Sequence, residues 1–392
     1  MTRSQKTPEQ VSQVSARHFE TGQSVRFTVK AGLIADVECA SGPDDFHSQD
    51  DWLAPAFWDI QTNGRWGISF SSPDLTAEQV VDIVRAQAAL GTAKLCPTLI
   101  TAPADDMVRG VRAIAAACDR FPDVNERVVG IHLEGPSISA VDGYRGAHPR
   151  EAVRGPDWDE FERLQEASGG RVVLITLAPE RPGAIDFIRR ATAAGVTIAL
   201  GHTAADGATL RAAAEAGARL STHLGNGIVA TLPRHPNPIW EQAALDELSA
   251  SLIADGHHLD RSTLRVLARA KGPERLVLVS DASPLAGLPP GQYGEWAVDP
   301  SGKVVVAGTP YLAGSNQDLD VGLRNLLEAT DWTLAQALAT VTRNPARVLG
   351  KPEPVLRPGA PADLIRFRHD PARRTFELVA TCVGGRWIEP GP

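Results

Sequence analysis

The sequence predicts an α/β fold: a closed, TIM-like (β/α)8 barrel with a small β-sandwich domain formed from both chain ends. Between Trp52 and Asp281, eight apolar strand patterns alternate with amphipathic helical patterns, which is typical of parallel strands joined by crossover helices. The flanking segments carry short strand patterns instead. The length of 392 residues also suits a barrel of about 250 residues with an additional domain.

The eight predicted barrel strands are short and largely apolar, as expected of strands that are buried on both faces. In chain order they are LAPAFWDIQ, TAKLCPTLI, RVVGIHLEG, VVLITLAPE, VTIALGHT, RLSTHLGN, SASLIADG and RLVLVSDA. An open doubly wound sheet would produce a similar local rhythm. However, no GxGxxG glycine pattern follows the first strand, which disfavours the nucleotide-binding form of that fold.

The domain organisation follows from the places where these patterns change. Residues 1 to about 20 are expected to be disordered, and residues 1–52 to form this tail and part of the small β domain. The barrel should occupy residues 53–345, with a β insertion near 290–310, and residues 346–392 should complete the small domain. The simplest architecture is therefore one barrel flanked by one small domain.

Composition and charge exclude several classes of protein. The formal net charge of -8 and the lack of basic runs disfavour nucleic-acid binding. Apolar runs fall short of the roughly 18 residues that a membrane span needs. The polar start, MTRSQKTPEQVSQVSA, lacks the apolar centre of a signal peptide, and the four cysteines form no CxxC pair. We therefore expect a cytoplasmic protein with reduced thiols and with no membrane or nucleic-acid partner.

Acidic and imidazole side chains lie at the ends of several predicted strands. In chain order they are Glu134 on the third strand, His202 on the fifth, His223 on the sixth and Asp281 on the eighth. The active sites of such barrels lie at the carboxyl ends of the strands, so these four groups should converge. A lone histidine at a strand end is more often structural than a ligand, but four groups at matching positions favour a site. Two imidazoles and a carboxylate can hold a metal with one position open for water, which leaves Asp281 as the base.

Motifs along most of the chain resemble those of the N-acetylglucosamine-6-phosphate deacetylases of the amidohydrolase superfamily. The matching strings are HLEGP at 132–136, GAH at 146–148, TLAPE at 176–180, GHT at 201–203, THLGN at 222–226, IADGHH at 253–258, SDA at 280–282 and LAGS at 312–315. They occur in the order that the family shows. The resemblance implies a metal-dependent (β/α)8 barrel with a flanking β-sandwich domain, in agreement with the fold that the strand pattern predicts.

The resemblance also implies roles for individual residues. It makes Glu134, His202 and His223 the metal ligands and Asp281 the catalytic general base. The implied substrate-binding positions are Ala147, His148, Asn226, Gly227, Arg234, His258, Leu312, Ala313 and Gly314. Arg234 has the spacing of a family arginine that reaches the sugar phosphate from a partner subunit, so a homodimer is expected. Either His148 or His258 could stabilise the developing oxyanion.

The end of the first strand indicates how many metal ions to expect. Many amidohydrolases carry His-x-His there to hold a second metal, whereas this chain reads Gln61, Thr62, Asn63. An amide oxygen is a poorer ligand for zinc than an imidazole nitrogen. We therefore expect one divalent ion per chain, with zinc as the expected metal. The alternative, that Gln61 and Asn63 only form hydrogen bonds at strand ends, leads to the same count.

The expected function is metal-assisted removal of the acetyl group from an N-acetylated amino-sugar phosphate, giving glucosamine-6-phosphate and acetate from N-acetylglucosamine-6-phosphate. Some positions depart from the family: Gly225 replaces an aromatic residue, Gly227 replaces an alanine, and Asn316 to Asp318 replace apolar residues. These changes affect specificity more than the metal centre. A related amidohydrolase acting on another N-acyl or cyclic amide is therefore an alternative, as is a non-catalytic barrel, although the intact ligand set and base disfavour the latter.

Overall fold

The computed structural model describes residues 11–40, 51–309 and 311–390. The strands are β1 Val11–His18, β2 Ser24–Lys30, β3 Leu33–Cys39, β4 Asp51–Pro55, β5 Phe57–Thr62, β6 Gly64–Arg65, β7 Ile68–Ser69, β8 Thr92–Ile100, β9 Ile131–Glu134, β10 Val172–Leu177, β11 Thr197–Leu200, β12 Leu220–Ser221, β13 Ser249–Leu252, β14 Leu276–Leu278, β15 Gly291–Tyr293, β16 Trp296–Val298, β17 Val304–Val306, β18 Leu364–Arg368, β19 Glu377–Val383 and β20 Arg386–Ile388.

The helices are α1 Ala77–Ala86, α2 Ala104–Arg120, α3 Pro122–Arg127, α4 Trp158–Ala167, α5 Ala184–Ala193, α6 Gly207–Ala216, α7 Pro238–Ala244, α8 Arg261–Lys271, α9 Leu319–Ala329, α10 Leu334–Ala339 and α11 Arg343–Val348. Two short 3-10 helices occupy Gln87–Leu90 and Arg150–Ala152. None of the helices in these described ranges has the length and apolar character that a membrane span requires.

Eight parallel strands form the barrel in the order β5-β8-β9-β10-β11-β12-β13-β14. The seam between β14 and β5 is closed by a parallel bridge from Thr62 to Ala282 and by the amide of Asn63, which donates to the carbonyl of Ala282 at 2.8 Å. These are the eight strands that the sequence predicts, and the fold class is confirmed. An apolar cluster from strands around the barrel, including Ile60, Leu174 and Val277, fills its interior.

The first predicted strand, LAPAFWDIQ, serves two different sheets. Its first part is β4, which belongs to the small sheet, and its second part is β5, which begins the barrel. The change occurs at Ala56, whose amide donates to the carbonyl of Asp363, while the amide of Phe57 donates to Gly91. The sequence pattern does not show this break because both halves are buried apolar strands.

The small sheet combines strands from both chain ends in the order β20-β19-β18-β4-β1-β2-β3. One apolar cluster of this sheet includes Phe27, Ile34 and Leu364. Ile365 and Phe367 belong instead to a cluster shared with the barrel, which docks the two parts together. The boundaries expected at 52/53 and 345/346 stay predictions.

The expectation of disorder up to about residue 20 is wrong for residues 11–18. These residues form β1, which pairs with β2 over seven residue pairs and contacts β4. Alternation of small and polar residues conceals the strand in the sequence, since only Ala16 in it is fully buried. Residues 1–10 lie outside the described residues. Near the expected β insertion, β15, β16 and β17 form a three-stranded antiparallel sheet beside the carboxyl ends of the barrel strands.

Candidate metal centre and active site

The three predicted metal ligands meet at the carboxyl ends of the barrel strands. Glu134 is the last residue of β9, and His202 and His223 each lie two residues beyond the end of their strand. Their side chains are buried, at 3%, 6% and 3% exposure in chain order. Oε1 of Glu134 lies 3.2 Å from Nε2 of His202 and 2.9 Å from Nε2 of His223. One ligand atom from each residue fits within a 4.8 Å group.

The hydrogen bonds around this cluster fit a bound cation. Nδ1 of His202 donates to the carbonyl of Tyr144 at 2.8 Å, which directs Nε2 of the ring at the cluster. That nitrogen lies 3.1 Å from Nε2 of His223 and faces the Glu134 carboxylate. Electron-pair donors packed this closely repel each other unless a positive charge lies between them. The residues present therefore suit a divalent metal held by two imidazoles and one carboxylate.

Electrostatic coupling within the cluster supports this arrangement. Burial opposes ionisation of Glu134, but the hydrogen bonds and charges of His202 and His223 hold the pKa of its carboxyl well below the usual range. Burial opposes protonation of His223, yet the hydrogen bond and charge of Glu134 raise its pKa. Glu134 is therefore ionised, as a metal-binding carboxylate must be.

Asp281 lies beside the same cluster, three residues after the end of β14. Its Oδ1 accepts hydrogen bonds from Nδ2 of Asn63 at 2.7 Å and from Nε2 of Gln61 at 3.1 Å. The Gln61 amide also donates to Oε1 of Glu134 at 3.1 Å, so it joins the candidate base to the candidate ligand. Burial first, and then the charge of Glu134, raises the pKa of Asp281 to about 6. A carboxyl with a raised pKa is a better proton acceptor than an ordinary aspartate.

His148 reaches the cluster from the loop that follows β9. Its Nδ1 accepts from the backbone amide of Thr101 at 3.3 Å and lies 2.8 Å from the Thr101 hydroxyl. Burial first, and then the charge of His202, lowers the pKa of His148 to about 3, so its ring is neutral. The remaining ring proton is therefore on Nε2, which lies 4.0 Å from Oε2 of Glu134. His148 can donate a hydrogen bond at the metal centre.

His258 is held in the opposite way. Its Nδ1 donates to Oδ2 of Asp255 at 2.8 Å, and the same oxygen accepts from the Ser315 hydroxyl at 2.8 Å. Although burial opposes it, bonding to His258 holds the pKa of Asp255 well below its usual range. The carboxylate fixes the ring orientation, and His258 lines the cavity. Its neighbour His257 is not among the residues that line it.

The ligand cluster, Asp281 and the histidines at 148 and 258 line one cavity of about 240 Å³. Eight of the nine substrate-binding positions implied by the sequence line it: Ala147, His148, Asn226, Gly227, His258, Leu312, Ala313 and Gly314. The four ligand and base residues also line the cavity. The ninth position, Arg234, is exposed in the loop between β12 and α7 and does not line it. Within one chain, Arg234 therefore does not contact the cavity.

Sequence reasoning missed several residues of the site. Trp296 and Tyr311 line the cavity from the β insertion and the segment after it, which the sequence identified only as an insertion. Thr101, which orients His148, lies just after β8. Its only sequence signal is its position after a predicted barrel strand. Gln61 and Asn63 were weighed as strand-end hydrogen bonders, and the structure shows that their partners are the carboxylates of the site.

Fold and site together define a class of protein: a (β/α)8 barrel with a Glu-His-His metal site and a strand-eight aspartate. The amidohydrolase family model matches residues 52–388. The chain belongs to the amidohydrolase family.

Individual relatives narrow the comparison to one branch. The chain is 37% identical to human N-acetylglucosamine-6-phosphate deacetylase over 353 residues, which cover 86% of this chain and 83% of the relative. It is 33% identical over 320 residues to N-acetylgalactosamine-6-phosphate deacetylase from Escherichia coli O157:H7, covering 80% of this chain and 82% of the relative.

A solved structure agrees with these relatives. It is a mutant of N-acetyl-D-glucosamine-6-phosphate deacetylase from Mycobacterium smegmatis in complex with N-acetyl-D-glucosamine-6-phosphate. The superposition has a TM-score of 0.85 at 30% identity, and it covers 97% of this chain and 99% of that chain.

Proposed function

We propose that this protein is a metal-dependent hydrolase that removes the acetyl group from an N-acetylated amino-sugar phosphate. The favoured reaction converts N-acetylglucosamine-6-phosphate to glucosamine-6-phosphate and acetate. The observation that carries this proposal is the convergence of Glu134, His202 and His223 with Asp281 at the floor of one cavity. The names of the relatives and of the complexed structure support the choice of substrate.

Glu134, His202 and His223 would hold one divalent ion, for which zinc is proposed. When bound, such an ion polarises an amide carbonyl and lowers the pKa of water from 15.7 to about 7. Gln61 supports a single site because its side-chain amide is committed as a donor to both Glu134 and Asp281. With that amide nitrogen facing two carboxylates, the residue serves their orientation.

The chain's own residues would move the protons and stabilise the developing charge. Asp281 lies beside the ligand cluster and would accept the proton of the attacking water, then deliver it to the departing amine. Asn63 and Gln61 hold its Oδ1, so they orient the carboxylate during this transfer. His148 is neutral and carries its proton on Nε2, so it would donate to the carbonyl oxygen as negative charge develops there. The structure thus favours His148 over His258 for the oxyanion.

Recognition of the sugar phosphate would come from residues that follow the sixth and seventh barrel strands. Asn226, Gly227 and His258 lie after the sixth and seventh barrel strands and line the same cavity. Among the described residues that line the cavity there is no lysine or arginine, so a phosphate there would lack a permanent cationic partner. An arginine from a second subunit would supply one. Arg234 is the proposed donor, which makes a homodimer and a cytoplasmic amino-sugar phosphate substrate part of this proposal.

The test is acetate release from a panel of N-acetylated sugars, each with and without a 6-phosphate, in the gluco and galacto series. We expect the phosphorylated sugars to be hydrolysed and their unphosphorylated partners to react much more slowly. The Asp281→Asn variant supplies the background rate. Equal turnover of both forms, or turnover only of a cyclic amide, would contradict the proposed substrate class.

A further inference from the structure

Three residues of the proposed site share an uncommon backbone conformation. His202, His223 and Asp281 have positive φ angles of 49°, 31° and 47°, in the left-handed region. In residues other than glycine this conformation costs free energy, which surrounding contacts must offset. The contacts that hold each residue therefore decide how well its side chain is aimed at the cavity. In two of the three, a hydrogen bond from the residue's own backbone amide holds the conformation. The amide of His223 donates to the Ser251 hydroxyl, and that of Asp281 donates to the carbonyl of Gln61.

The carbonyl of His202 accepts from the Ser139 amide at 2.9 Å, and the two residues that follow His202 are held by a charged side chain. Glu180 lies in the loop after β10 and is absent from both the ligand cluster and the cavity wall. One of its carboxylate oxygens accepts from the Thr203 hydroxyl at 2.6 Å, and the other accepts from the Ala204 amide at 2.8 Å. These two residues directly follow His202. Both oxygens of one carboxylate are thus engaged by the segment that turns the histidine into the site.

The surroundings of the His202 ring leave it little freedom to move. Nδ1 donates to the carbonyl of Tyr144, and the ring passes close to two glycines. A β-carbon built at Gly227 would lie 2.7 Å from Nδ1 of His202, and one at Gly146 would lie 3.1 Å from its Cε1. The ring thus occupies a narrow slot. A small rotation of the backbone after His202 would push the ring against Gly146 or Gly227, or would move Nε2 away from the metal position.

We infer that Glu180 is a positioning residue for the metal centre: its carboxylate holds Thr203 and Ala204 so that His202 stays in its left-handed conformation with Nε2 directed at the metal. Charge-assisted hydrogen bonds to the carboxylate are stronger than neutral ones, which suits a contact that must oppose backbone strain. The inference rests on the proposed metal-dependent function. It predicts that metal affinity depends on a residue that touches neither the metal nor the substrate.

The experiment measures Zn²⁺ affinity of the metal-free protein by chelator competition, independently of activity. Glu180→Ala should weaken Zn²⁺ binding about 10–100-fold, the range typical when support for a metal ligand is removed. Glu180→Gln keeps an acceptor of the same length, so it should bind Zn²⁺ more tightly than Glu180→Ala and less tightly than the wild type. If Glu180→Ala does not fold, the Gln variant carries the test.

Asp206 provides a matched control from the same loop. Its carboxylate accepts from the Thr209 amide at 2.8 Å and caps α6, four residues after His202. Asp206→Ala should lower the melting temperature and leave Zn²⁺ affinity unchanged, since the cap does not hold Thr203 or Ala204.

The possible results separate the inference from the function on which it rests. A wild-type protein that binds no Zn²⁺ would overturn the metal site itself. Wild-type affinity in Glu180→Ala and Glu180→Gln, in a protein that does bind Zn²⁺, would overturn only the positioning role. The same loss of affinity in Asp206→Ala as in Glu180→Ala would also overturn it, because general loosening of the loop would then explain the effect.

Discussion

The two histidines that face the cavity from opposite sides are held by opposite kinds of partner. On the strand-three side, Nδ1 of His148 accepts from the Thr101 amide, so the neutral ring directs a proton into the cavity. On the strand-seven side, Nδ1 of His258 donates to the Asp255 carboxylate. The same residue type is therefore prepared for two tasks. His148 can meet negative charge as it develops, whereas His258 is an anchored ring that can hold the substrate throughout the reaction.

The largest loss of activity is expected from replacing the proposed base, Asp281, and the effects at the two histidines can be compared with it. Asp281→Asn should lower kcat by about 10²–10⁴-fold, the range typical of lost general-base catalysis. Metal content should not change, because Glu134, His202 and His223 form the ligand set. Steady-state kinetics and metal analysis of the same preparation check both statements. Near-wild-type turnover would show that the proton is taken by another group.

On the strand-three side, His148→Asn should reduce kcat about 10²–10³-fold, as loss of one oxyanion donor typically does. The value of KM for the phosphorylated substrate should change little, since the hydrogen bond strengthens only as charge develops. A variant with normal kcat and a raised KM would reverse the roles assigned to the two histidines.

On the strand-seven side, Asp255→Asn should act mainly on KM. The variant removes the charge that fixes the His258 ring, so binding should weaken by about 1.5–3 kcal/mol at most, the worth of a hydrogen bond to a charged group. His258→Asn should show the same pattern. The comparison fails if Asp255→Asn lowers kcat as much as His148→Asn does and leaves KM unchanged.

Arg234→Ala tests whether the strand-seven side is completed by a second chain. KM for the phosphorylated sugar should rise by an amount equivalent to about 1.5–3 kcal/mol, while unphosphorylated analogues should be unaffected. Mixing Arg234→Ala with Asp281→Asn chains should restore some activity, because one site of the heterodimer would have both residues intact. A monomeric protein, or equal losses on both substrate types, would contradict the proposal that Arg234 acts across subunits.

The sequence predicted the barrel well because its strands are buried on both faces and therefore appear as continuous apolar runs. The prediction failed for β1, which is only partly buried and looked disordered. It also failed for the segment containing Ala56, which was taken for one strand although its two halves belong to different sheets. The convergence of Glu134, His202 and His223 was predictable because chain position fixes which residues end a barrel strand.

The partners of these residues were not predictable in the same way. Thr101 and Glu180 act through hydrogen bonds between segments far apart in the chain, and no local pattern encodes such contacts. The tautomer of His148 and the ring orientation of His202 likewise follow from their neighbours in space. Arg234 could be proposed from its spacing after His223 together with the family resemblance, and its exposure in one chain is consistent with a contact made by two chains.

The measurement that tests the central claim most directly is the metal content of the purified protein and of Glu134→Gln. The account predicts about one divalent ion per wild-type chain, and clearly lower occupancy in the variant, since the variant lacks the carboxylate that both His202 and His223 face. Acetate release should fall in parallel with occupancy. Two tightly held ions per chain would contradict the single site, and full activity without a metal would contradict the account as a whole.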